Sequence, residues 1–163
     1  MMAAEKIERK EVTREERRQF ENYLKMYFTQ YTNNEGQRFS KLEGMINCQK
    51  AKIDEMPAIS GTDYSSKGIG SGGKGLDIVD KFQIDRSRAK RRYRKLKYIK
   101  MILDSYLVML DQKDYKILKM FYNEEKKYTV RDIALVVSYS EDYVKERKRI
   151  KLDWLIEKTE LMV

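Results

Sequence analysis

An all-α protein is the fold class predicted by this chain of 163 residues. Apolar residues recur at steps of three and four along most of its length. Ser and Thr stand just before several of these runs, and the one proline, Pro57, lies beside the only glycine-dense stretch. Such spacing gives each helix one apolar stripe, and a Ser or Thr at its start accepts N–H groups that have no partner inside the helix.

The first element begins at Thr13, which makes a capping-box pattern with Glu16, and Phe20, Leu24, Tyr27, Phe28 and Tyr31 follow as a wide apolar stripe. Asn33, Asn34 and Gly36 interrupt it. A second helical pattern then carries Phe39, Leu42, Ile46, Ile53 and Met56. Two such helices form a hairpin with a face to bury. It either associates with another subunit or protein, or covers a helix over residues 93–110 of its own chain, and the sequence leaves both open.

Six of the eight glycines lie between Gly61 and Gly75, the composition of a flexible linker. Beyond it the charge changes. Residues 81–163 hold 22 Lys and Arg against 13 Asp and Glu, whereas residues 1–80 hold 13 of each. The densest part, Arg86 to Lys100, carries nine basic residues and no acidic one. As a long helix it places Arg88, Arg92 and Lys95 on one face, and Tyr93, Leu96, Ile99, Leu103, Tyr106 and Leu110 at heptad-like spacing on another. A basic density of this kind engages phosphates, which makes Arg88, Arg91, Arg92 and Lys95 candidate contacts.

A further helix is expected from about Asp111 to Tyr122, with Leu118, Phe121 and Tyr122 turned inward. After it, Thr129 with Asp132 caps a short helix whose inner face is Val130, Ile133, Ala134 and Val137. Ser138 and Tyr139 break the period. Ser140 then caps a second helix, with Glu141 and Asp142 in its first turn and Val144 facing inward. Two short helices across a tight turn form a helix-turn-helix, whose second helix reads the major groove. Ile150, Trp154 and Leu155 are expected to anchor the end of this helix against the bundle.

The run Ile133-Ala134-Leu135-Val136-Val137-Ser138-Tyr139-Ser140, with Tyr143-Val144-Lys145 and Arg147 after it, resembles the fourth region of bacterial sigma factors. Leu110-Asp111, Ile117-Leu118 and Phe121-Tyr122 resemble the helix that leads into that motif. With the Gly/Ser-rich middle and the basic helix, residues 57–155 resemble RinA/ArpU-type late-gene transcriptional activators of phages that infect Gram-positive bacteria. Ser138 departs from the pattern, since Gly usually occupies this turn. The resemblance implies activation of a phage or prophage late operon, with host RNA polymerase as a partner. Two alternatives are a DNA-packaging protein of the terminase small-subunit kind and a helical protein-interaction adaptor.

The expected organisation is therefore an N-terminal helical region at 1–58 for oligomerisation or partner contact, a linker at 59–75, and a DNA-binding domain at 76–163. In its second helix Lys145, Lys148, Arg149 and Lys151 are expected on phosphates of double-stranded DNA. Glu141, Asp142, Tyr143 and Glu146 are candidates to read bases, with Thr129, Arg131 and Ser140 beside them and Arg147 in a structural role.

Enzymatic chemistry finds little support. Gly68 to Lys74 fits the spacing of a phosphate-binding loop, but Gly75 stands where Ser or Thr would hold the metal, and no apolar strand precedes it. Histidine is absent, which removes the usual general base and zinc ligand. No cofactor or metal is expected. The one cysteine, Cys48, has no partner for an internal disulfide, and no apolar run approaches the about 20 residues that span a bilayer. A cytoplasmic location is expected.

Overall fold

A computed structural model of the chain describes residues 11–56 and 74–161, with side chains from residues 11–56 and 81–161. These residues are mostly helical. In order they form α1 (Arg14–Phe28), β1 (Gln30–Thr32), β2 (Arg38–Ser40), α2 (Lys41–Glu55), α3 (Lys74–Leu107), α4 (Gln112–Tyr122), α5 (Val130–Val137) and α6 (Glu141–Thr159).

The expected capping box opens α1: the Thr13 hydroxyl accepts from the Glu16 N–H at 3.2 Å, and the Glu16 carboxylate accepts from the Thr13 N–H at 2.7 Å. The two expected helices form, as α1 and α2, but Tyr31 and Phe39 do not lie on them. Tyr31 and Phe39 sit on a two-stranded antiparallel sheet and pair with each other in register. The cause lies in the turn. The Asn33 side-chain oxygen accepts from the N–H groups of Glu35 and Gln37, and Gly36 takes a φ of 79°, which closes a tight hairpin and pairs the residues on either side as strands. Ser40 then ends β2 and caps α2, in a second capping box with Glu43.

One apolar core joins the two described segments. Phe20, Leu24 and Phe28 of α1 and Leu42 and Ile46 of α2 pack with Ile99, Leu103 and Leu107 of α3, Leu118 and Tyr122 of α4, and Leu152, Leu155 and Ile156 of α6. Each large side chain buried here contributes about 1.5–3 kcal/mol over its exposed state. The N-terminal helices therefore cover their own chain, so the change in charge between the two halves of the sequence is not a break in packing. A smaller cluster of Ile117, Ile133, Ala134, Val137 and Val144 holds α4, α5 and α6 together, and Phe121 packs against both clusters.

Three other expectations change. The linker expected at 59–75 lies outside the described residues except for Lys74 and Gly75, which belong to α3; most of the Gly68 to Lys74 stretch shares that position. Leu110 packs on the core from beyond the end of α3, because the helix stops at Leu107. Ile150 is exposed rather than anchored, whereas Leu155 is fully buried and the Trp154 ring meets Tyr106 edge-on at 6.3 Å.

Candidate nucleic-acid interface

The turn between α5 and α6 is made by residues close in sequence. Thr129 caps α5, and Asp132 accepts from both its N–H (2.8 Å) and its hydroxyl (2.7 Å). The Thr129 hydroxyl and N–H hold the Asp132 carboxyl below its ordinary range. Ser138 ends α5 in the left-handed region, at φ 59° and ψ 46°, and the Tyr139 N–H returns to the Ala134 carbonyl at 3.1 Å. Ser thus adopts the conformation that glycine favours, at a cost of about 1–2 kcal/mol. Two residues later the Ser140 hydroxyl accepts from the Tyr143 N–H and starts α6.

Val144 seats α6 on the small cluster, and charge fixes the rotation of the helix. The Arg147 guanidinium embraces the buried Asp114 of α4, with Nε 2.9 Å from Oδ1 and Nη2 on Oδ2. Lys151 Nζ reaches the same carboxylate at 3.1 Å. The hydrogen bond to Asp114 raises the Arg147 pKa. Next to it, the Asp111 carboxyl caps α4 by accepting from the Asp114 N–H at 2.7 Å, which lowers its pKa.

This arrangement sorts the residues expected on DNA. Glu141, Asp142, Lys145, Glu146 and Arg149 are exposed on one side of α6, and Lys145 lies 3.5 Å from Asp142. Thr129 and Arg131 are exposed at the start of α5, and Ser140 is exposed at the turn. Lys148 and Lys151 do not join them, contrary to their expected place on phosphates. Lys148 Nζ is 3.1 Å from Glu21 of α1 and lies over the rings of Phe121 and Tyr122, while Lys151 is held by Asp114 and lies over Trp154. The exposed face of α6 consequently carries three carboxylates and two cations. Arg147 is structural, as expected.

Two further residues, neither of them expected on DNA, belong to this surface. Lys113, in the first turn of α4, lies over the Tyr139 ring at 4.3 Å and meets its hydroxyl at 3.2 Å. Tyr139 in turn stacks on Tyr143 with ring centroids 4.3 Å apart. The proximity of Lys113 to the turn has no local signal, since 26 residues separate it from Tyr139.

Arg88, Arg91, Arg92 and Lys95 are exposed on α3. They form a surface distinct from the turn. The contact between Tyr106 and Trp154 lies toward the far end of α3, and Arg88 precedes Tyr106 by about 27 Å of helix.

Among the described residues no group of His, Cys, Asp and Glu has the makings of a metal site, and no helix is long and apolar enough to cross a membrane. Cys48 is an exposed free thiol. No family model, curated protein or solved structure matches the chain.

Proposed function

We propose that this chain is a sequence-specific double-stranded DNA-binding regulator, and that the exposed side of α6 reads the major groove. The observation that carries the reading is the α5–α6 pair itself. Its turn passes through left-handed Ser138, and α6 starts at a capped N-terminus with Glu141, Asp142, Lys145, Glu146 and Arg149 free of the core. A helix held in this way by the two helices before it presents its first turns to base edges. Glu141, Asp142 and Glu146 accept hydrogen bonds from cytosine N4, and Lys145 and Arg149 donate to guanine or to phosphate. Tyr143 offers a ring edge and Arg131 a flanking phosphate contact.

The resemblance to RinA/ArpU-type activators extends this reading to a phage or prophage late operon, with host RNA polymerase as the protein partner. In it the chain acts by binding and carries no catalytic step.

Selection of bound duplexes from a random pool, at near-physiological salt, tests the reading. The expected result is a defined motif that weakens or changes in the Lys145→Ala/Arg149→Ala variant. Motif-free binding by both proteins would remove α6 as a reader.

A further inference from the structure

We propose that α3 is a second groove-binding helix, lying in the major groove of duplex DNA with cations on the phosphates of both strands. The inference rests on the reading of the chain as a duplex-binding protein, but not on α6 as the reader.

Its basis is how the cations are distributed around α3 once α2 is in place. α2 runs along α3 as its main partner, and Ala89, Ile99 and Leu103 are buried with Tyr93 and Leu96 partly so. Every other residue from Ser87 to Tyr98 is exposed. Arg88, Lys90, Arg91, Arg92, Arg94, Lys95 and Lys97 are all exposed, and among the described residues only Arg88 meets a carboxylate, Asp85 at 3.8 Å. At about 100° per residue, Arg88, Arg92 and Lys95 fall on one flank, while Lys90, Arg94 and Lys97 fall on the other, roughly 160° away. Between them an outward ridge carries Ser87, Arg91 and the half-exposed Tyr98.

A ridge between two cationic flanks matches a groove between two phosphate rails. A helix with its side chains is about 10–12 Å across, and the major groove is about 12 Å wide. The ridge then faces base edges, where Arg91 can bond guanine O6 and N7, and each flank meets one backbone. An anionic bilayer fits less well. An interfacial helix needs a continuous free apolar face to bury, whereas Ala89, Ile99 and Leu103 are already buried and the exposed Phe82, Ile84 and Met101 fall on different sides of α3 outside the cationic stretch. The exposed face of α6, with its excess of carboxylates, also leaves most phosphate attraction to be supplied elsewhere.

The test uses the full chain and random-sequence duplexes over about 50–200 mM salt. One variant neutralises the first flank (Arg88→Gln/Arg92→Gln/Lys95→Gln) and another the second (Lys90→Gln/Arg94→Gln/Lys97→Gln). Both sets are surface residues, and circular dichroism checks that the helices persist. Each triple should flatten the slope of log K against log salt by about 2–3 units, and Arg91→Ala should alter the selected motif. If only one flank matters, α3 lies along a single backbone and the groove assignment fails. If neither flank matters while the wild type still binds duplex, α3 leaves the interface and the proposed function rests on α6 alone. A wild type that binds phosphatidylserine vesicles and no duplex overturns both readings.

Discussion

Arg147 of α6 and Asp114 of α4 form a two-pronged ion pair, with Asp114 only 2% exposed. Lys151 shares the same carboxylate, so a single acid in α4 sets the rotation of α6 about its axis. That rotation decides which side chains of α6 face outward.

Asp114→Ala should therefore be strongly destabilising. It takes the carboxylate from Lys151 and leaves Arg147 only the more distant Asp111, at 3.7 Å, and loss of one partner of a buried pair costs about 3–5 kcal/mol. Arg147 and Lys151 each keep about a quarter of their side-chain surface in water, which places the expected loss near the lower figure. Urea unfolding measures it; an unchanged midpoint would mean that the pair contributes nothing.

Ser138→Gly should stabilise the turn modestly, by up to about 1 kcal/mol, because removing Cβ relieves the left-handed strain while adding some backbone entropy to the unfolded chain. Ser138→Val should act in the opposite direction by more. Thermal or urea midpoints that rank the three proteins otherwise would show that the turn relaxes on substitution.

Lys148→Ala and Lys145→Ala should separate cleanly. The first removes a cation from between Glu21 and two aromatic rings, so it should lower stability by about 1 kcal/mol with the DNA motif unchanged. The second removes an exposed side chain of α6 and should alter the motif at near wild-type stability. A selection experiment run beside an unfolding curve reads both; reversed behaviour would place Lys148 on the outer face.

Acid should weaken the fold through the caps of α4 and α5. Asp111 and Asp132 both titrate below the ordinary value of 3.8 in the folded chain. The unfolded chain thus takes up protons first as pH falls. The contribution of these caps is complete above 3.8 and is lost as pH falls through the lower folded values. Asp132→Asn should flatten that part of the stability profile, and an identical profile in the variant would show that the Thr129 cap is unimportant.

What was legible in the sequence was local. The cap at Thr129, the break at Ser138 and the cap at Ser140 each lie within a few residues of the groups they bond; α5 begins and ends, and α6 begins, where those residues predict. The β-hairpin was hidden because strands of three residues are too short to show a period of two, and Tyr31 and Phe39 also fit a helical stripe. Lys148 and Lys151 were misplaced for a different reason. Whether a lysine on a helix faces water depends on its neighbours in space, here Glu21 and Asp114, which lie 127 and 37 residues away in sequence. Lys113 beside Tyr139 was missed on the same ground.

Phe121 packs on both apolar clusters, and α4 lends Leu118 and Tyr122 to one and Ile117 to the other. The helix-turn-helix is for that reason not a portable part. Excising residues 111–161 would strip α4 of α1 and α6 of both α1 and α3, and grafting residues 129–149 onto a foreign scaffold would leave Arg147 without its acid. The two clusters should melt as one cooperative unit, so amide protons of α5 should exchange no faster than those of α1 despite the small size of the cluster beneath them.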